Sequence, residues 1–591
     1  MTLSQTFPFT GALNRPDLEL LFGDPHIDGP FNYAAIAADD DARRMNTFAE
    51  GVLDAWGAAA EFVPAALGGR WTDTSAMVTR LRPIFRRDPA VGLGYGLTTL
   101  MAAVNVWIGG DEEQQADLAM RLLRGERIAT AFHELDHGND LLHNECTADF
   151  GGGVWKVRGA KQIINNIDRA ESVLIMARTS EGVVARQFSL LLWHKAPGDP
   201  VDTTRRVLTA GMRGCWIGAA QFDGVKISAR RIIGSEGNAV ATALKAFQIT
   251  RATIPALAVG SLEAALHETI LYARDRQLYG GSVLDIPHAR SLYADALTDT
   301  LIADALSGSV VRALHLAPRE SFVLSAVAKY LAPQLLMDAI QQLSVLAGST
   351  FYARTEPYSI LEKLVRDLIV VPIGHAGSTS CLMTILPNLP VWARRSERTV
   401  EADLRLFELN ASEELPALDF QALSLGAGST DSLGAALHDP RVRQALAQHA
   451  PQLLPLVYEL AEGFKRERAI ARALSPDQLT AESAAASFDV ARRVSLFFAA
   501  AAILGSCAVA AGTSDLAADP LVVEACLERV RGRLAHQQRP LRREIIDRLV
   551  DHGEWCVDES RSVGLRPVTI YPKARQRVRI PAGNREGRRG T

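Results

Sequence analysis

The sequence predicts an α+β chain in which a single β unit interrupts an otherwise helical protein. Three observations carry that reading. Up to about residue 128 the segments are rich in Ala, Leu and Glu and poor in β-branched runs, as in DDDARRMNTFAEGVLDAWGAAAEF and DEEQQADLAMRLLRGE. From about 129 to 240, short runs such as VWKVRG, SVLIMAR, FSLLLWH and AAQFDGVKIS are separated by Gly, Asp and Pro. After 240 the helical period returns: in SLEAALHETILYARD, Leu262, Leu266, Ile270 and Ala273 recur on one face and predict one buried stripe.

These shifts divide the chain into an N-terminal helical domain (1–128), a β domain (129–240), a helical bundle (241–398), an additional helical domain (399–565) and a basic tail (566–591). VPAALGGRW, with Pro64, Gly68 and Gly69, breaks the first helices. Asp223-Gly224 falls where a hairpin turn would sit. Segments around 290–316, 320–346 and 357–371 read as an antiparallel bundle that closes near Pro387 and Pro390. The apolar stretch from Ser495 to Gly512 falls short of a spanning length and reads as a buried core helix, with a membrane-surface helix as the alternative. From Arg566 onward seven Arg and one Lys face only Glu586, which predicts an irregular, solvated tail.

Composition excludes several classes. At 591 residues, with 48% hydrophobic and 22% charged residues and a formal net charge of -4, the chain is a soluble globular protein with a large core. The near balance of charges and the apolar content argue against a chain-wide nucleic-acid footprint and against wholesale disorder. Six cysteines without a CxxC pair, and a start lacking a basic stretch followed by an apolar run, predict a cytoplasmic protein with no structural zinc.

Seven short motifs then fall in order between about residues 50 and 390: VPAALGG, HELDHGND, VRGAKQIINN, GMRGCW through FDGVKIS, RDRQLYGG, DAIQQL and LEKLVRD. Together they resemble the acyl-CoA dehydrogenase and oxidase superfamily. The resemblance implies an N-terminal helical domain, a central β-barrel domain and a C-terminal helical bundle, here with an added helical region like that of the larger members. It implies FAD, an acyl thioester of coenzyme A or a carrier protein as substrate, oxidation at the Cα–Cβ bond, and a homodimer or dimer of dimers; membrane association would involve only the C-terminal region.

Residue by residue, the resemblance places Phe132, His133, Asn139, Ile163, Asn165, Gly377 and Thr379 beside the flavin, with His133, Asn139, Ile163 and Asn165 replacing the family's Thr, Ser, Trp and Thr. Asn139 and Asn165 retain amide donors, and Ile163 can exclude water without stacking. Arg276 and Tyr279 would reach a neighbouring subunit's FAD pyrophosphate and Gln341 its adenine side; Arg suits phosphate because it binds it in bidentate fashion. On residue chemistry alone, Arg276 could equally pair with Asp275, and Gln341 could be a buried amide in need of a partner. Thr250 and Arg251 would face the substrate.

The family's catalytic Glu has no counterpart. Counting from Arg366-Asp367 gives His375, and registering on Gly377-Ser378-Thr379 gives Ala376; the alternative position used by a minority of the family is Thr250. Three readings follow: His375 is the base, the scaffold supports a flavin monooxygenase without such a base, or the chain binds a thioester without redox chemistry. Glu134, His137, Asp140 and His143 are metal-ligand types beside His133, but no zinc spacing fits. Cys215, Trp155 and Trp193 read as core residues.

Overall fold

The structure is a computed structural model describing residues 16–138, 140–354, 357–396, 401–411, 413–537 and 539–571. Asn139 and residues 572–591 of the expected tail lie outside the described residues.

The N-terminal part is helical, but the long segment expected after Asp39 is two helices, Tyr33–Asp41 and Thr47–Trp56, separated by a turn in which Arg43 takes φ 50°. Asn46 caps the second by accepting from the Ala49 amide, which satisfies an orphan donor of its first turn. Asp73 caps Thr74–Arg87 in the same way. Between that helix and Thr98–Gly109 the chain forms a π-helical turn, Gly92–Leu97, in the sequence GLGYGL. A Cβ at Gly92, Gly94 or Gly96 would meet Phe85, Met45 or Phe62 within 3 Å, so the alternating glycines let this wide turn pack.

The β unit is one mixed sheet: β1 Ile128–Ala131, β2 Thr147–Gly151, β3 Val154–Asn165, β4 Ser172–Arg178, β5 Phe188–His194, β6 Val201–Asp202, β7 Ile217–Ser228 and β8 Ile232–Ile233. The strands run in the order β6-β7-β3-β2-β4-β5-β8, with β1 parallel to β4, so the expected barrel is a sheet whose two end strands are not paired with each other. Trp155 and Trp193 are buried in its own apolar core. Asp223-Gly224 makes no hairpin. Both residues lie inside β7, where Val157 faces Val225 and Arg158 faces Asp223, and Gly224 at φ 88° is the extra residue of a bulge. Glycine permits that left-handed conformation, and the turn signal is answered by a kink in a continuous strand.

Three long helices follow: a first bundle helix, Ala239–Asp275, a second, Pro287–Leu316, and a third, Ser321–Tyr352, which kinks at Gly348. The first is buried on nearly every side and not along one stripe, because the Thr74–Arg87 helix packs on it as well as the other two bundle helices. Ile360–Leu368 and Ser378–Ser396 complete this part, and the latter runs through Pro387 and Pro390 instead of ending before them. In the additional region, Ala485–Ala510 contains the apolar stretch and is buried against the second bundle helix and Pro520–Leu534. Arg529 and Arg533 clamp that region to the bundle by pairing with Asp299 at 2.6 and 2.9 Å.

The start of the expected tail is anchored. Arg566 is buried and donates to Thr79 Oγ1 at 2.7 Å and Ser75 Oγ at 3.1 Å, and Tyr571 hydrogen-bonds Tyr33 through their hydroxyls at 2.7 Å. Its basic composition reads as solvated, but the partners that hold it lie hundreds of residues earlier.

Candidate active site

A cavity of about 340 Å³ lies where the sheet, the π-helical turn and the bundle meet. Leu93, Leu97 and Met101 supply one apolar wall, Ile254 and Ala258 of the first bundle helix another, and Val370, Val371 and Ile373 close the end. Apolar walls with few polar groups are what a ligand site of this size requires.

Five expected site residues come together on its walls: Phe132, His133, Ile163, Asn165 and His375. The end of β3 is shaped for this. A register shift between Lys161 and Ile164 leaves Ile163 bulged, 40% exposed and at φ 57°, a left-handed conformation that is costly for a β-branched side chain. Asn165 Nδ2 donates to Thr98 Oγ1 at 2.6 Å and to the Leu93 carbonyl at 3.2 Å, and the next residue, Asn166, donates to the Gly94 carbonyl. The π-helical turn and the strand end therefore lock each other. Asn165 Oδ1 and Thr130 Oγ1 are buried without a hydrogen-bond partner. His133 Nδ1 lies 3.2 Å from the Gln162 carbonyl, and burial holds its pKa below the usual imidazole range.

His375 sits in a strained loop in which it and Ala376 both take positive φ, 47° and 62°. The loop is held from below by Lys329 of the third bundle helix, whose Nζ donates to the Val371 carbonyl and, at 3.0 Å, to that of Gly374. His375 Nε2 is 2.9 Å from Thr250 Oγ1, and its ring packs edge-on against Phe247. Thr250 donates to the Phe247 carbonyl at 3.3 Å, so its oxygen accepts from Nε2–H and the imidazole lone pair resides on Nδ1. Burial, followed by the charges of Lys329 and Arg251, drives the His375 pKa down to about 3, so the ring is neutral across the physiological range.

Arg251 is fully buried behind Phe247, its guanidinium carbon 5.5 Å from that ring's centre, and donates to Thr384 Oγ1 and Ser380 Oγ. No described residue on the cavity wall is an Asp or Glu. Lys329 is fully buried too, and burial lowers its pKa to about 8.

The remaining expected residues lie elsewhere. Gly377 is buried beneath the His375 loop and Thr379 points outward; neither lines the cavity. Arg276 is exposed, and Asp275 accepts from the Tyr358 hydroxyl at 2.7 Å, so the anticipated Arg276–Asp275 pair is not formed. Tyr279 and Gly280, both at positive φ, form a two-residue hairpin tip between Leu278 and Gly281, with Tyr279 97% exposed. Gln341 is exposed and not a buried amide. Glu134 is occupied by Lys161 at 2.8 Å and by the amides of Glu145 and Cys146. Cys215 is buried with its pKa raised by burial, and donates to the Ala90 carbonyl.

Asp367 of the Arg-Asp motif accepts from the Met212 amide at 2.5 Å, and Gly211 abuts the Arg366 carbonyl so closely that a Cβ would lie 2.0 Å from it. That contact packs GMRG directly against LEKLVRD.

Residues 237–387 match the family model of the acyl-CoA dehydrogenase C-terminal domain. The chain has the acyl-CoA dehydrogenase fold. It is 28% identical over 340 residues to a probable acyl-CoA dehydrogenase, fadE25, of Mycobacterium leprae, covering 57% of this chain and 86% of that one. Butyryl-CoA dehydrogenase from Megasphaera elsdenii superposes with a TM-score of 0.57 at 18% identity, covering 63% of this chain and 98% of that one. The prolyl acyl carrier protein oxidase AnaB does so with a TM-score of 0.55 at 19% identity, covering 58% and 91%.

Sequence reasoning missed Lys329, Thr130 and the π-helical turn. Lys329 had a readable signal, a lone cation within the apolar run SAVAKYLAP, and GLGYGL had its alternating glycines. Thr130 had none.

Proposed function

We propose that the protein is an FAD-dependent oxidoreductase acting on the Cα–Cβ bond of an acyl thioester carried by coenzyme A or a carrier protein. The observation that carries this reading is the convergence of Ile163, Asn165 and His375 on one apolar cavity in the acyl-CoA dehydrogenase fold. The orphaned Asn165 Oδ1 and Thr130 Oγ1 on an otherwise apolar wall suit a flat ring system with a polar edge, so the residues present fit a flavin. The flavin, when bound, supplies the hydride acceptor.

The chain's own residues would do the rest. Asn165, whose amide hydrogens are spent on Thr98 and Leu93 and so are not the donors expected, would accept from the ring edge through Oδ1, Thr130 would orient that edge beside it, and Ile163 would exclude water from one face. Nδ1 of His375 would take the α-proton while Thr250 holds Nε2–H. With a pKa of about 3, His375 is a weaker base than an ordinary imidazole, so stabilisation of the developing enolate by the nearby cations has to share the task. In a dimer, the exposed Arg276, Tyr279 and Gln341 would meet a neighbour's cofactor.

The test is to titrate FAD into the purified protein, isolate the complex and incubate it with acyl thioesters. Bands near ~370 and ~450 nm are the expected flavin signature, and mass spectrometry should find a thioester product lighter by two hydrogens. A protein that stays colourless at saturating FAD contradicts the proposal. The lack of an acidic wall residue favours a second reading, a flavin monooxygenase, whose product would instead be heavier by one oxygen.

A further inference from the structure

The turn that carries His375 is strained at two successive residues. A one-turn helix, Val370–Ile373, ends at Gly374, and the next helix starts at Ser378. Between them His375 and Ala376 both take left-handed backbone, which residues with a side chain keep only where their surroundings impose it. Four carbonyls around the turn accept hydrogen bonds from side chains. Two of the donors are local: Ser378 Oγ donates to Pro372 at 3.0 Å and Cys381 Sγ to Ala376 at 3.4 Å. The other two carbonyls, those of Val371 and Gly374, both receive Lys329 Nζ, which reaches them from the third bundle helix, 42 and 45 residues earlier in the chain.

Lys329 also acts on the imidazole through its charge, which after burial is the largest influence keeping His375 neutral. The titratable groups packed around Lys329 come from three elements: His375 on the turn, Arg251 on the first bundle helix and Cys381 on the Ser378–Ser396 helix. Between pH 7 and 9 the imidazole stays neutral, the guanidinium stays charged, and the thiol, raised by burial, stays largely protonated. Lys329, lowered by burial to about 8, is the member of this cluster whose charge changes in that window.

We propose that Lys329 is a positioning residue for His375: its bonds to the Val371 and Gly374 carbonyls hold the turn in the conformation that sets the imidazole on the cavity wall. This deepens the proposed function and rests on it. An ammonium bonds a carbonyl about twice as strongly as a neutral amine does. Burial disfavours the ammonium relative to the unfolded chain, but it does so whether the turn is held or slack. The two carbonyls belong to the held turn and favour the charged form there. Proton loss near pH 8 therefore weakens the hold, and α-proton removal by His375 falls as pH rises through that value.

The experiment follows the turn and the reaction separately. Hydrogen exchange of the 370–377 amides, corrected for the intrinsic effect of pH on exchange, is measured at pH 7 and pH 9. The proteins are the wild type, Lys329→Met, which has no donor, and Lys329→Gln, which keeps two N–H groups without a charge. Flavin reduction by an acyl thioester is followed by stopped flow over the same range in the FAD-loaded proteins. The wild type should lose both protection and rate by at least ~5-fold from pH 7 to pH 9. Lys329→Met should be unprotected and slow at both pH values, and Lys329→Gln intermediate and equally independent of pH. A wild-type turn equally protected at both pH values, a wild-type rate that does not fall, or a fall that survives in either folded variant overturns the inference and leaves the proposed function standing. A wild type whose flavin the thioester does not reduce overturns the proposed function instead, and the exchange result then decides by itself whether Lys329 holds the turn.

Discussion

Two buried arginine sites lie on the same bundle helix and have opposite surroundings. Near its middle, Glu263 accepts from Arg86 at 2.6 Å and from Arg82 at 3.4 Å, while Glu19 and Asp304 complete the charge balance. Three turns earlier Arg251 has Thr384 and Ser380 alone. The first site joins the N-terminal helices, the bundle and, through the Leu565 amide on Asp304 at 3.0 Å, the C-terminal segment. It is complete without a ligand. The second lies behind Phe247, a residue of the cavity wall, and is held by hydroxyls alone. The contrast separates arginines whose charge is balanced by carboxylates from one whose charge is left to neutral hydroxyls.

The sharpest way to break the comparison is Arg86→Met. It leaves Glu263 and Glu19 short of a counterion in a dry environment, and should cost about 3–5 kcal/mol in denaturant unfolding. His375→Glu should have the next largest effect. A carboxylate restores an effective base, and turnover of a neutral acyl thioester should rise by on the order of 10²-fold in stopped-flow flavin reduction.

The pH dependence sharpens the comparison further. His375, with its pKa near 3, contributes no limb to kcat/KM between pH 5 and 7, whereas Lys329, lowered by burial to about 8 on the cavity wall, contributes a limb near pH 8. The depressed Lys329 pKa also works on stability: between pH 8 and 10.5 the unfolded chain binds more protons than the native one, so this group's contribution to stability grows across that window. The smallest expected effect is Arg251→Met, which strands no buried carboxylate and should change unfolding free energy by under about 1 kcal/mol.

Much of this architecture was legible in the sequence because it depends on local pattern. The change from helical to strand-like runs near residue 129 and the return at 240 follow from side-chain period and turn residues, and His375, Ile163 and Asn165 could be placed by counting from motifs. What escaped depends on tertiary surroundings. Asp223-Gly224 has the chemistry of a turn, and only the pairing of β7 with β3 makes it a bulge. Arg566 and Tyr571 have the composition of a tail, yet Ser75, Thr79 and Tyr33 bind them from far along the chain. The unpaired state of Arg251 and Lys329 is a property of what is missing from three helices at once, which no single segment displays.

The most direct test of the account is an anaerobic titration of the FAD-loaded protein with an acyl thioester, followed by absorbance near ~450 nm. The account predicts that the band bleaches, and that His375→Ala, though still binding the thioester by calorimetry, bleaches at least ~10²-fold more slowly. A thioester that binds without bleaching, or a His375→Ala variant that bleaches at the wild-type rate, would contradict it.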